Sequence, residues 1–62
     1  MKIKSISLFL NENGISYTVQ NENGTIELYS VENVPYTIIH LINNRKPKKS
    51  VHFKNEYIFL FD

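Results

Sequence analysis

Lys4-Ser5-Ile6-Ser7-Leu8-Phe9-Leu10-Asn11-Glu12-Asn13-Gly14 is the stretch on which the fold turns, because it supports two periods at once. Ile6, Phe9 and Leu10 recur at three- and four-residue spacing, and Ile3 extends the stripe, which is the signature of an amphipathic helix. In that reading Gly14 is the left-handed residue just past the helix end, and Ile15 folds back on Leu10 as the apolar contact of a Schellman cap. The rival reading is a strand, since Lys4 to Leu8 alternates polar and apolar. The three- and four-residue spacing with its glycine cap predicts the helix. With residues 4–12 as a strand, the fold becomes instead a β-meander with one helix.

The tetrapeptide Asn-Glu-Asn-Gly returns at Asn21–Gly24, and these two copies hold both glycines of the chain. Around the second copy the pattern is unambiguous. Ile15, Tyr17 and Val19 alternate with polar residues before it, and Ile26 and Leu28 do so after it. Two alternating runs joined by Asn-Gly form a hairpin.

Further along, Asn33 is a candidate helix cap and Pro35 suits a first turn. Val34, Ile38, Leu41 and Ile42 make one apolar stripe with Ile39 beside it, and Asn43, Asn44 and Pro47 end it. Ser50 to Lys54 and Glu56 to Phe61 form a last strand pair, turning at Lys54-Asn55. The expected order is therefore αββαββ, a weak internal repeat. The expected fold is a single α+β domain over residues 1–62, with two helices packed on one face of a four-stranded antiparallel sheet.

Size and composition narrow the function classes. A 62-residue chain makes one small domain of marginal stability. It has no cysteine, which removes disulfides, thiolate metal sites and thiol nucleophiles. Hydrophobic content of 42% against 21% charged is a globular balance, not a disordered one. No apolar run reaches the roughly 18 residues of a membrane span, and no cleavage site follows Leu8-Phe9-Leu10, so neither a membrane segment nor a signal peptide is expected. These features suit a cytoplasmic protein. Alanine is absent, while Asn, Ile and Lys supply 22 of 62 residues. That codon bias points to an AT-rich genome such as a low-GC bacterium, plasmid or phage.

No constellation for chemistry is apparent. His40 has Asn43 and Asn44 at its i+3 and i+4 positions, and His52 lies on a strand, so no metal site is expected. There is no glycine-rich phosphate loop, and Glu22 and Glu27 flank a turn where both should be solvated. Neither an enzymatic activity, a cofactor nor a small-molecule substrate is expected.

Two features point to macromolecular partners. In Tyr57-Ile58-Phe59-Leu60-Phe61 alternation is lost, so both faces of that strand are apolar. Either the strand is central in the sheet, or a partner covers its second face. Lys54, Glu56 and Asp62 flank it as charge gatekeepers. A two-residue turn at Lys54-Asn55 would pair Phe53 with Glu56 and Val51 with Ile58. A three-residue turn would pair Phe53 with Tyr57, sending the aromatic rings inward and Ile58 and Leu60 outward beside His52. The second is favoured because the rings bury more apolar area. The expected function is a protein-binding module, a small regulator or inhibitor or a homodimer, using the C-terminal strand with Tyr29, His52, Tyr57, Ile58 and Leu60.

The alternative is nucleic-acid binding. Residues 5–44 contain four acids and no Lys or Arg, whereas residues 45–54 contain Arg45, Lys46, Lys48, Lys49 and Lys54 and no acid. Such a cluster can grip phosphates. A sequence pI near 8.0 is below the value above about 9 usual for nucleic-acid domains, which favours the protein-binding reading.

Overall fold

The computed structural model describes residues 2–61, so the gatekeeper position Asp62 lies outside the described residues. The element order is β1 (Ile3–Asn11), β2 (Gly14–Asn21), β3 (Ile26–Val31), α1 (Tyr36–Arg45), β4 (Lys49–Phe53) and β5 (Glu56–Leu60). The strands form one antiparallel sheet in the order β3-β2-β1-β5-β4. This overturns the arrangement of two helices on four strands, and with it the αββ repeat.

The physical reason lies in β1. It is the central strand, pairing Ile6 with Val19 on one side and with Phe59 on the other. Its backbone therefore finds ladder partners on both sides, and Ile6 is completely buried. Those gains exceed the weak preference of a short helix containing two serines and a β-branched residue. Leu10 and Ile15 do meet, but as opposite residues of the β1–β2 hairpin and not as a helix cap.

The two Asn-Glu-Asn-Gly copies both make hairpins, by different means. At Asn21–Gly24, the Asn21 N–H bonds to Thr25 O (2.9 Å), the Gly24 N–H bonds to Asn21 O (3.1 Å), and Gly24 has φ 95°. A three-residue loop ending in a positive-φ glycine is a common hairpin closure. At the first copy Asn11 pairs directly with Gly14, whose φ is 137°.

The helix starts at Pro35, which supplies the cap position, and no side chain caps it; Asn33 does not. The Pro35 carbonyl accepts from Ile38 and Ile39 instead. Asn43 and Asn44 stay helical, and the end comes at Lys46, with φ 51°, just before Pro47. The helix connects the two edge strands, β3 and β4. Ile38, Leu41 and Ile42 pack on a core of Ile6, Tyr17, Val19 and Phe61, with Leu8 and Phe59 alongside. Ile39 stays exposed.

The last hairpin closes with the two-residue turn. Phe53 pairs with Glu56, His52 with Tyr57 and Val51 with Ile58, which overturns the favoured three-residue pairing of Phe53 with Tyr57. Lys54, at φ 55°, is the residue that makes so tight a turn. Phe59 and Phe61 still pack toward the core, so strand parity keeps Ile58 and Leu60 on the outer face.

Candidate interaction surface

Register sorts the side chains into two faces. On the helix side, one row reads Tyr29, Tyr17, Leu8, Tyr57, His52 from edge to edge, and the next reads Glu27, Val19, Ile6, Phe59, Ser50. The opposite face carries three rows: Ser30, Ser16, Phe9, Glu56, Phe53; then Leu28, Thr18, Ser7, Ile58, Val51; then Ile26, Gln20, Ser5, Leu60, Lys49.

No second layer covers that outer face among the described residues, since the single helix packs on the other. Its large side chains are accordingly exposed: Phe9 48%, Val51 38% and Phe53 67% on one flank, Ile26 59% and Leu28 77% on the other. Ile58 and Leu60 are half-buried between the first group. The floor between the flanks is small and polar, with Ser5, Ser7, Ser16 and Thr18, and the Ser5 hydroxyl donates to Gln20 Oε1 at 3.3 Å. An open concavity lined by Phe9, Leu10, Asn11, Glu12 and Asn55 lies at the turn end of the same strands.

The expected partner-binding residues do not form one surface. Ile58 and Leu60 share the outer face, whereas Tyr29, His52 and Tyr57 stand on the helix side, with Tyr29 and His52 on opposite edges. Tyr29 stacks on Tyr17 with centroids 4.7 Å apart, and His52 stacks on Tyr57 at 4.1 Å. Both pairs extend the aromatic cover of the core beyond the helix. Phe9 and Leu28, the outer-face residues that sequence reasoning passed over, were signalled by the period-two alternation with Ile6, Leu8 and Tyr29.

Tyr29 also donates a 2.6 Å hydrogen bond to Glu27 Oε1, and the buried Asn21 donates to Glu27 Oε2 at 2.9 Å. These two donors, Tyr29 foremost, hold the Glu27 carboxyl below its ordinary pKa, and the same carboxylate raises that of the Tyr29 hydroxyl.

The basic residues are divided. Arg45 is the last helical residue, with its guanidinium 5.3 Å from the centre of the Phe61 ring. Lys46 follows as the helix cap, the Lys48 N–H bonds to Leu60 O, and Lys49 pairs with Leu60. Lys54 sits at the other end of β4, 5.8 Å from the Phe53 ring. In its place the fold adds Lys4, whose carbonyl accepts from Phe61 N–H, whereas the Lys2 carbonyl accepts from the N–H of the acid Glu22. Chain separation hid Lys4 from the sequence reading. All seven Lys and Arg side chains are exposed.

Among the described residues no group of three or more His, Asp or Glu is placed to hold a metal ion, and no helix is long and apolar enough to cross a membrane. Comparison with protein-family models, with curated proteins and with solved structures finds no match to this chain.

Proposed function

We propose that this chain is a non-enzymatic protein-binding module whose contact surface is the helix-free face of the sheet. The observation that supports it is the exposure of Phe9, Val51 and Phe53 around half-buried Ile58 and Leu60 on a face that none of the described residues covers. An apolar patch of this kind is a usual mark of an interaction site. Lys49 lies on the same face, and Lys54 stands at the adjoining turn. The partner that fits is therefore an apolar protein surface rimmed by carboxylates.

Capture from a host lysate with three baits tests this: the native chain, Ile58→Thr/Leu60→Thr, and Lys46→Glu/Lys48→Glu. A protein retained by the native and charge-reversed baits, and lost with the threonine pair, supports the reading. Its binding should fall only modestly with salt, because the carboxylate rim meets just Lys49 and Lys54 while the centre is apolar. A ligand lost with the charge-reversed bait and weakened steeply by salt overturns it.

That outcome is what a second reading expects. Lys4, Arg45, Lys46, Lys48 and Lys49 lie at one end of the sheet, with Lys4 and Arg45 at Phe61, an arrangement suited to phosphates. In this reading the ligand is a nucleic acid.

A further inference from the structure

The sheet has two edges, β3 and β4, and they are built differently. An edge strand presents unpaired N–H and C=O groups, and proteins blunt such edges with lysine, proline or bulges. β4 has these devices: Pro47, Lys48 and Lys49 at its start and Lys54 at its end. β3, Ile26–Val31, has no Lys, no Pro and an unbroken register against β2, and its one charge, Glu27, is tied down by Tyr29 and Asn21.

The hairpin geometry fixes which backbone groups are free. The Asn21 N–H bonds to Thr25 O, so in the antiparallel ladder Glu27 and Tyr29 are the residues bonded to β2. Ile26, Leu28 and Ser30 therefore turn their N–H and C=O groups away from the sheet. Three residues with free donors and acceptors, in one register, are a template for another antiparallel strand.

We propose that β3 is a self-pairing edge, joining a second copy of this chain about a two-fold axis at Leu28. Self-complementarity selects that register. Leu28, 77% exposed, meets its own symmetry mate on the outer face, and Ile26 meets Ser30 of the other copy. On the helix side Glu27 stands opposite the second copy's Tyr29, so the single hydroxyl proton that each Tyr29 gives to Glu27 within its chain can be exchanged across the axis with no donor lost. Shifting the axis by one residue toward the N-terminus would oppose the two Glu27 carboxylates directly, which is unfavourable. The product is one continuous ten-stranded sheet, with Leu28 pairing apolar surface that a monomer leaves in water. The pairing does not rest on the outer-face reading of the function. It also has its own salt dependence. The charge on each β3 edge is Glu27, with Glu22 and Glu32 in the segments flanking it and no Lys or Arg between residues 5 and 44, so the two edges repel at long range and added salt tightens the pair.

Cysteine cross-linking tests this, because the chain has no thiol of its own. Directly opposed hydrogen-bonded residues have Cα atoms about 5.5 Å apart, within disulfide reach. Under mild oxidation in 0.15 M salt, Leu28→Cys should form a covalent dimer nearly completely. Ile26→Cys alone should not, and a mixture of Ile26→Cys with Ser30→Cys should cross-link only between the two variants. Sedimentation of the native chain at high micromolar concentration should give twice the 7.3 kDa chain mass, and Leu28→Lys should halve it. Ile58→Thr/Leu60→Thr should stay dimeric, which separates this interface from the proposed partner surface. A native chain that sediments as a monomer overturns the proposal. Cross-linking by Ile26→Cys alone as strong as by Leu28→Cys overturns it too.

Discussion

Gly14 packs so closely under the end of β3 that a Cβ there would sit 2.6 Å from the Val31 carbonyl oxygen. Its φ of 137° adds a second reason for glycine, since side-chain-bearing residues rarely adopt that backbone. Gly24, at φ 95°, has nothing within 4 Å of the same point. Gly14→Ala should therefore cost about 3 kcal/mol, combining backbone strain with overpacking, and Gly24→Ala about 1 kcal/mol. Denaturant unfolding of both variants checks this. Equal losses would show that the contact with Val31 is readily relieved.

Among the described residues Ile6 is the one large side chain with no exposure at all, at the meeting of three strands. Ile6→Ala should cost roughly 3 kcal/mol or more. A chain this size is stable by only roughly 3–9 kcal/mol, so the variant should be substantially unfolded by 37 °C. Circular dichroism during heating would show it. Ile39→Ala, at an exposed helix position, should change the midpoint little.

The Glu27–Tyr29 pair predicts a pH window. The folded-state pKa of Glu27 lies below its ordinary 4.5, so its contribution is present above that value and is lost as pH falls through the depressed pKa. The Tyr29 pKa is raised above 10.0, so its contribution is complete below that value and is lost as pH rises through the raised pKa. The pair thus acts fully between these limits. An NMR titration should place the Glu27 midpoint below 4.5, and Tyr29→Phe should move it upward. An unchanged midpoint would show that the hydrogen bond is not populated in solution.

Lys46 ends the helix at φ 51°, a position that glycine fills without strain. Lys46→Gly should stabilise by about 0.5–1 kcal/mol. Lys46→Glu should cost more than Lys48→Glu, because it sets a negative charge at the helix C-terminus, where about 0.3–1 kcal/mol is at stake. Thermal melts at low salt distinguish the three. Equal effects for the two glutamates would remove the helix end from the account.

Three local elements were legible in the residues alone, although the architecture expected from them was not the one observed. Alternation around Asn21–Gly24 specified the β2–β3 hairpin, the stripe of Ile38, Leu41 and Ile42 specified α1, and Lys54-Asn55 marked the last turn. These are local patterns in which one period dominates. Residues 3–11 were not decidable that way, because Ile6, Phe9 and Leu10 satisfy a helix while Ser5, Ile6, Ser7 and Leu8 satisfy a strand. Hydrogen-bond partners distant in sequence, Val19 and Phe59 on the two sides of Ile6, decided it. The same long-range pairing brought Lys4 to Phe61 at the end of the sheet where Lys48 meets Leu60, put His52 with Tyr57 instead of Ile58, and left β3 as an open edge. The residues determined which segments alternate and where they turn; only the tertiary structure decided which strands are neighbours, because pairing energy belongs to two segments jointly and is written in neither alone.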